Sequence, residues 1–160
     1  MKVWRLCRRR HAAFDGEGAR RAGGRWNRKG QAVVYASETL SLAALEMLVH
    51  CDPGLMPEDL VAIPADVSDA IRVRRLEESD LPRGWRRYPA PAALAEIGGD
   101  WIEGREAAVL SVPSCLVPRE RNVLLNPAHP DFRRIRIGDA EPFSFDTRLN
   151  RRSADASSGH

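Results

Sequence analysis

The order of the predicted elements favours an α+β domain built on a mixed sheet. Short apolar and β-branched segments, which are typical of strands, occur before, between and after two helical segments. Consecutive strands of this kind fit an α+β fold better than a doubly wound sheet. With 160 residues, of which 43% are hydrophobic, the chain can bury one core. We therefore expect a single domain over residues 1–146 and a polar, flexible tail over residues 147–160.

The N-terminal part is predicted to hold two strands separated by a long loop. Residues 3–7 alternate between two faces, as strand residues do. Residues 8–30 contain five glycines and no apolar period, so we expect a loop there. Loops of this length within compact domains tend to be functional. Residues 32–36 form a short β-branched run, which predicts the second strand.

An apolar run over residues 40–49 predicts the first helix. Ser37 or Thr39 can cap this helix, because a hydroxyl oxygen accepts a hydrogen bond from the first free backbone amides. The dipeptide Pro53-Gly54 is expected to end it, since proline cannot continue a helix.

Two further strands are expected over residues 60–65 and 71–75. Pro64 lacks a backbone donor, so it indicates that the first of these is an edge strand or carries a bulge. Residues 77–91 are polar and interrupted by three prolines and one glycine, and we expect them to be irregular.

The C-terminal part is predicted to contain the second helix, over residues 92–102. Gly98 and Gly99 weaken its middle by about 1 kcal/mol each. Residues 107–112 are almost continuously apolar, which is typical of a central strand. Further strand candidates follow at 122–126, 134–137 and 143–145.

The composition narrows the class of protein. No apolar run approaches the ~20 residues that a membrane helix needs, and the N-terminus lacks the apolar segment of a signal peptide. Three scattered cysteines do not indicate a disulfide framework, so we expect a cytoplasmic, reduced protein. The histidines and cysteines show no metal-ligand spacing, and we expect no metal site. No phosphate-binding loop or dinucleotide fingerprint is present.

The positive charge is concentrated near the N-terminus. Between Arg5 and Lys29 there are nine lysines and arginines against Asp15 and Glu17. Such a block suits a phosphorylated ligand or a nucleic acid. A solvated, arginine-rich loop is an equally good interpretation at this stage.

Four side chains are candidates for chemistry. Glu46 is the one charge in its apolar helical run, so it needs a partner or borders a cavity. Arg25 follows two glycines, which allow a ligand to approach the backbone closely, and its guanidinium suits phosphate. Tyr35 lies at a strand end, where it can stack on a flat ligand or belong to the core. Ser114 follows a buried strand and a proline, where its hydroxyl can bind a ligand amide or ribose.

Trp26 can stack on a ring system or fill the core beside the loop, and Asn126 can line a cleft or shape the turn before Pro127. Arg25 and Glu46 can also form a purely structural ion pair. The residues alone leave these alternatives open.

Together these motifs resemble the RES domain family, which is named for its Arg, Glu and Ser. The resemblance runs from Trp4-Arg5 to about residue 137, and the order and spacing of the motifs make it specific. The motifs are Gly24-Arg25-Trp26-Asn27, Val34-Tyr35-Ala36, Ala44-Leu45-Glu46, Val112-Pro113-Ser114 and the segment from Asn122 to Asp131.

The resemblance implies a fold similar to ADP-ribosyltransferase toxins, with mixed sheets that form a cleft flanked by a few helices. It implies a toxin of a toxin–antitoxin pair that cleaves the nicotinamide–ribose bond of NAD+ and thereby arrests growth. NAD+ would be the substrate, and the partner would be an Xre-like antitoxin that blocks the active site. Arg25, Tyr35, Glu46 and Ser114 would be catalytic. The ligand-binding set would be Arg25, Trp26, Asn27, Tyr35, Ser114 and Asn126.

The sequence leaves the acceptor of ADP-ribose open among water, phosphate and a protein side chain. Transfer to a protein is therefore the first alternative function. A basic nucleic-acid-binding toxin is the second, although only His11 lies near the basic loop as a candidate base, and we expect no direct nucleic-acid contact from this chain. A non-enzymatic module with a structural Arg25–Glu46 pair is the third.

Overall fold

The computed structural model describes residues 1–52 and 55–150, which form a mixed sheet with three α-helices. Among these residues no helix is long and apolar enough to cross a bilayer. The strands are β1 (Lys2–Arg8), β2 (Val34–Ser37), β3 (Leu60–Asp66), β4 (Val73–Arg75), β5 (Val109–Pro113), β6 (Arg121–Leu125), β7 (Arg136–Ile137) and β8 (Glu141–Phe143). The helices are α1 (Glu17–Ala22), α2 (Leu40–Leu48) and α3 (Ala92–Gly104).

The sheet has the strand order β4-β5-β6-β2-β1-β3-β7, and β8 pairs with β3 beside β7. The pair β4–β5 is parallel, whereas the other pairs of the described strands are antiparallel. This arrangement confirms the α+β class and the mixed sheet. It also places β6 between β5 and β2, so that residues far apart in the chain become neighbours.

The apolar segments of the sequence form the core on both faces of this sheet. All five residues of β5 are buried, which confirms the prediction of a central strand. One cluster gathers around Val3, Val34 and Val109, and a second around Trp26, Leu94 and Trp101 beneath α3. Burying a large apolar side chain contributes roughly 1.5–3 kcal/mol, so these clusters hold the sheet and α3 together.

Strand β3 is an interior strand, and the expectation of an edge strand at Pro64 was wrong. It pairs with β1 over its whole length, and β8 and β7 cover the two ends of its other side. The carbonyl of Pro64 accepts a hydrogen bond from Gly138 N at 2.8 Å on that second side. Because the N and C=O of one strand residue point the same way, the missing donor faces the gap between β7 and β8.

The predicted loop over residues 8–30 is also partly helical, since a 3-10 turn at Arg9–His11 precedes α1. Gly16 begins α1 and Gly23 ends it, both with φ of 71°, a conformation that glycine adopts without strain. Helix α1 is too short to show an apolar period, which is why the sequence did not reveal it.

The remaining strands differ from expectation mainly at their ends. Residues 134–137 give only the two-residue β7, because the 3-10 turn Pro130–Arg134 occupies the residues before it. The last strand lies at Glu141–Phe143 rather than at 143–145. The expected stop at Pro53-Gly54 and most of the expected tail lie outside the described residues, although Thr147–Asn150 forms a 3-10 turn.

Helix α2 begins as predicted, with Thr39 as its cap. The Thr39 hydroxyl accepts a hydrogen bond from Leu42 N at 3.1 Å. Leu42 and Ala43 are buried against the sheet, which fixes the rotation of the helix about its axis. Glu46, one turn beyond Leu42, is consequently half-buried along the same stripe.

Helix α3 packs against the loop that carries Arg25 and Trp26, and two glycines make this contact possible. A Cβ atom on Gly98 would overlap the carbonyl oxygen of Trp26, and one on Gly99 would lie 3.0 Å from Gln31 Nε2. The glycines that weaken the helix by propensity therefore allow its close approach to the loop.

We expect Gly98→Ala to destabilise the protein by about 1–3 kcal/mol, because the added methyl group must displace the Trp26 backbone. Denaturant unfolding measures this change. Gly104→Ala is the matched control, since Gly104 lies in the same helix and a Cβ there meets nothing within 4 Å. Equal stabilities of the two variants would contradict the proposed close contact.

Candidate functional site

Three elements bring polar side chains together at one end of the central strands. Helix α2 carries Glu46, Ser114 follows the last residue of β5, and β6 carries Asn122. In the sheet Asn122 pairs with Val112 on one side and with Ser37 on the other. This register places Asn122 between the end of β5 and the start of α2.

The carboxylate of Glu46 is the centre of this group. Its Oε1 accepts a hydrogen bond from Ser114 Oγ at 2.9 Å and another from Asn122 Nδ2 at 2.5 Å. Ser37 Oγ in turn donates to Asn122 Oδ1 at 2.7 Å. The single carboxylate of this apolar helix is thus hydrogen-bonded by Ser114, at the end of β5, and by Asn122, on β6. These hydrogen bonds offset the free energy that burying a carboxylate costs.

Ser114 is fully buried and its hydroxyl is held from both sides. Besides donating to Glu46, Ser114 Oγ accepts hydrogen bonds from Leu116 N at 3.1 Å and Val117 N at 3.2 Å. The chain therefore turns tightly around this hydroxyl at the end of β5.

Arg25 anchors a second loop next to this group. Its guanidinium donates to Trp85 O at 2.7 Å and to Arg87 O at 3.3 Å. Between them in sequence, Arg86 donates from Nε to Cys115 O at 3.0 Å, directly beside Ser114. Residues 85–87 therefore connect the Arg25 loop to the end of β5 and bring exposed Arg86 to the site.

The charges of Arg25 and Glu46 both affect the pKa of Cys115. Burial raises the pKa of the Cys115 thiol, while the field of Arg25 lowers it and that of Glu46 raises it further. Both charges therefore act on the same thiol. Among the described residues no ion pair joins Arg25 to Glu46, so the structure does not contain the purely structural pair that the sequence left open.

Tyr35 fixes the Arg25 loop to the sheet. Its hydroxyl accepts a hydrogen bond from Trp26 N at 3.0 Å and donates one to Asn27 Oδ1 at 2.8 Å. Burial raises the pKa of Tyr35 well above its ordinary value, whereas the Trp26 amide and the charge of Arg25 lower it. The phenol therefore stays protonated and keeps both hydrogen bonds.

Trp26 and Asn27 belong to the frame of the loop. Only 2% of Trp26 is exposed, and it packs in the core cluster beneath α3. Of the two roles that the sequence left open, stacking on a ligand and filling the core, the structure therefore supports the second. The buried amide of Asn27 donates to three backbone carbonyls, those of Ala19, Arg28 and Gln31. Their expected contacts with a ligand are not supported by this geometry.

Asn126 is likewise buried and used within the protein. Its Nδ2 donates to Ile102 O at 3.1 Å, and its Oδ1 accepts from Ala128 N at 3.0 Å. These bonds join the end of β6 to α3 and shape the turn at Pro127. Of the two roles suggested by the sequence, the structure favours the turn.

Sequence reasoning did not single out Asn122, Ser37 or Arg86 as site residues. Asn122 was recognised within a motif but not as a contact of Glu46, because that contact depends on the register of β6 against β2. Arg86 lies in a segment expected to be irregular, where no periodicity indicates which side chains face the site.

The sequence model of the RES domain matches residues 2–146. The chain therefore belongs to the RES domain family, as its motifs predicted.

Similar proteins of nearly equal length support this assignment. The chain is 39% identical over 153 residues to "Toxin Res" of Yersinia enterocolitica, covering 93% of this chain and 99% of that protein. It is 36% identical over 156 residues to "Prs ADP-ribosylating toxin" of Sphingobium sp., covering 94% and 97% respectively. "Toxin Res" of Photorhabdus laumondii is 35% identical over 152 residues, covering 93% and 97%.

The fold is similar to a chain of the M. tuberculosis MbcT–MbcA toxin–antitoxin complex. The TM-score is 0.69 at 17% identity, and the match covers 89% of this chain and 84% of that chain. At this identity the likeness defines the fold alone, and it agrees with the α+β mixed sheet.

We expect Tyr35→Phe to destabilise the protein by about 1–3 kcal/mol, because it leaves a buried amide and Asn27 without their shared partner. The free energy of unfolding measures the effect. Tyr88→Phe is the matched control, since Tyr88 is 90% exposed and should tolerate the same change. An unaltered stability of Tyr35→Phe would show that its hydroxyl does not hold the Arg25 loop.

Proposed function

We propose that this protein is the toxin of a toxin–antitoxin pair and that it cleaves the nicotinamide–ribose bond of NAD+. Relatives named as toxins, one of them as an ADP-ribosylating toxin, support this function. The observation that carries it is the fixed carboxylate of Glu46, held by Ser114 and Asn122, with Arg86 bound to the carbonyl of Cys115, the residue after Ser114.

The chemistry of this bond suits a single carboxylate. Cleavage at the ribose carbon passes through an oxocarbenium-like state, as in glycoside hydrolysis. Nicotinamide leaves as a neutral molecule, so no general acid has to protonate it. Glu46 would stabilise the positive charge that develops on the ribose or bind a ribose hydroxyl. A well-placed electrostatic partner of this kind contributes about 3–4 kcal/mol to the rate.

The diphosphate of NAD+ requires cations next to this carboxylate. Arg25 uses two of its five N–H donors for backbone carbonyls, which leaves donors for a phosphate oxygen. Within the part of the chain that the structure describes, the Arg86 side chain makes one hydrogen bond, from Nε to Cys115 O, which leaves both of its terminal nitrogens for the ligand. We assign the diphosphate to these two arginines, and the half-buried ring of Tyr35 to the nicotinamide.

Ser114 has a different role from the one expected on sequence grounds. Its hydroxyl is occupied by Glu46 and by two backbone amides, so we assign it to Glu46 rather than to the nicotinamide or its ribose.

Transfer of ADP-ribose to a protein is the second candidate function. The Sphingobium relative is named an ADP-ribosylating toxin, which favours a protein acceptor in place of water or phosphate. The same site would serve both reactions, because the bond that breaks is the same.

The proposed partner is an antitoxin. The structure that this chain resembles in fold is a chain of a toxin–antitoxin complex. An Xre-like antitoxin that covers the site around Glu46 fits the family resemblance. Nucleic-acid binding by the basic loop is less well supported, because Trp26 is buried and cannot stack on a base.

We expect the purified protein to consume NAD+ and Glu46→Gln to reduce the rate on the order of 100-fold or more, since the charge at the ribose is lost. NAD+ loss and nicotinamide release over time, with and without phosphate, measure this and identify the acceptor. Glu106→Gln is the matched control, because it is the same isosteric substitution at an exposed glutamate.

Folded wild-type protein that releases no nicotinamide, alone or with candidate protein acceptors added, would contradict the proposed function. Equal rates in wild type and Glu46→Gln would contradict the role of Glu46.

We expect Arg86→Gln to raise KM for NAD+ about 10- to 100-fold with a smaller change in kcat, because a charged hydrogen bond to phosphate contributes roughly 1.5–3 kcal/mol. Steady-state kinetics separate the two constants. Arg83→Gln tests the specificity of the effect, since Arg83 is an exposed arginine of the same segment. A KM equal to that of the wild type would remove Arg86 from the site.

A further inference from the structure

The two oxygens of the Glu46 carboxylate have different surroundings. Both side-chain donors, Ser114 Oγ and Asn122 Nδ2, bind Oε1. Within residues 1–52 and 55–150 no protein donor binds Oε2. The one fully buried side-chain polar atom without a partner in this part of the chain is Arg5 Nε, so Oε2, which has no partner either, is not fully buried.

The Ser114 hydroxyl has no capacity left for a ligand. A hydroxyl has one proton and two acceptor lone pairs. The proton goes to Glu46 Oε1, and Leu116 N and Val117 N occupy the acceptor side. Ser114 is therefore committed to holding the carboxylate.

The amide of Asn122 can face Glu46 in only one orientation. Rotating it by 180° would put Oδ1 against a carboxylate oxygen at a distance of 2.5 Å, where two acceptors repel each other. Ser37 Oγ, which donates to Asn122 Oδ1 at 2.7 Å, supports the same orientation from the other strand. Strand β2 thereby contributes to the position of a side chain on α2.

We infer that Asn122, oriented by Ser37, is a positioning residue for Glu46, and that Glu46 acts on the substrate through Oε2. Ser114 and Asn122 both donate to Oε1, and by holding this oxygen they fix the direction in which Oε2 points. This inference rests on the proposed cleavage of NAD+ and assigns roles to Asn122 and Ser37, to which the family resemblance gave none.

The geometry explains why two donors are needed. One hydrogen bond leaves a carboxylate free to rotate about its last torsion, whereas Ser114, just after β5, and Asn122, on β6, hold Oε1 from two directions. Misplacing a reacting group by about 1 Å can cost on the order of 100-fold in rate. We therefore expect Asn122→Ala to lower kcat by about that factor, and Ser37→Ala to lower it by less, because Asn122 keeps its bond to Glu46.

Asn122→Asp is the decisive variant, because it keeps the shape and replaces the donor by an ionisable acid. Two carboxyl groups in contact share a proton, and the loss of that proton is shifted to higher pH. While the two carboxyl groups share this proton, the aspartic acid side chain at position 122 can donate it to Glu46 Oε1, as the asparagine amide does in the wild type. We expect kcat to fall as the pH rises and the proton is lost, which adds an ionisation to the profile between pH 5 and 9.

The experiment compares kcat for NAD+ cleavage across this pH range in the wild type, Asn122→Asp, Asn122→Ala and the control Ser41→Asp. Ser41→Asp places the control charge at an exposed position in the first turn of α2, where an acidic residue suits the helix. The helix cap Thr39 is avoided, because its hydroxyl contacts the Glu120 carboxylate. The added ionisation should occur in Asn122→Asp alone, and Asn122→Ala should be slow at every pH. A residue with a purely structural role would lower activity without changing the shape of the profile.

A pH titration of the Glu46 carboxyl carbon by NMR distinguishes failure of this inference from failure of the proposed function. The titration of Glu46 should change in Asn122→Asp and stay as in the wild type in Ser41→Asp. NAD+ cleavage with an unchanged profile and an unchanged titration would overturn the role of Asn122 alone. A changed titration in a folded protein that does not cleave NAD+ would preserve the contact and overturn the catalytic function of Glu46.

Discussion

The architecture of the site depends on the hydrogen bonds that the Glu46 carboxylate receives. A carboxylate in an apolar helix is costly unless donors reach it, and here the donors are Ser114 and Asn122. They can reach it only because β6 lies between β5 and β2, at the start of α2. The central strands therefore position the carboxylate as well as forming the core.

The second half of the site depends on how the Arg25 loop is attached. The Tyr35 hydroxyl binds this loop to β2, while Gly98 lets α3 approach it closely from the other side. Arg25 then holds residues 85–87 through their carbonyls, which places Arg86 next to Ser114. The cationic part of the site, Arg25 and Arg86, and its anionic part, Glu46, therefore lie on different elements. The charges of Arg25 and Glu46 both act on the Cys115 thiol.

Features with a strong local pattern could be predicted from the sequence. Strand β5 and helix α2 could each be predicted from an apolar run, the start of α2 from the candidate caps Ser37 and Thr39, and Glu46 from being the one charge within the run that forms α2. Other features depend on residues far apart in the chain. The contact between Glu46 and Asn122 follows from strand register, and the interior position of β3 follows from where β7 and β8 pair. Trp26 shows the same limit, since the sequence left stacking and a core role equally open and the packing of α3 against the loop decides for the core.

The most direct test of this account is a crystal structure of the Glu46→Gln variant with uncleaved NAD+ bound. The account predicts that the anomeric carbon of the nicotinamide ribose lies about 3–3.5 Å from the side-chain atom that replaces Oε2, as a reacting pair requires. It also predicts the diphosphate between Arg25 and Arg86. An occupied NAD+ site whose nicotinamide ribose lies away from residue 46 would contradict the central role of this carboxylate.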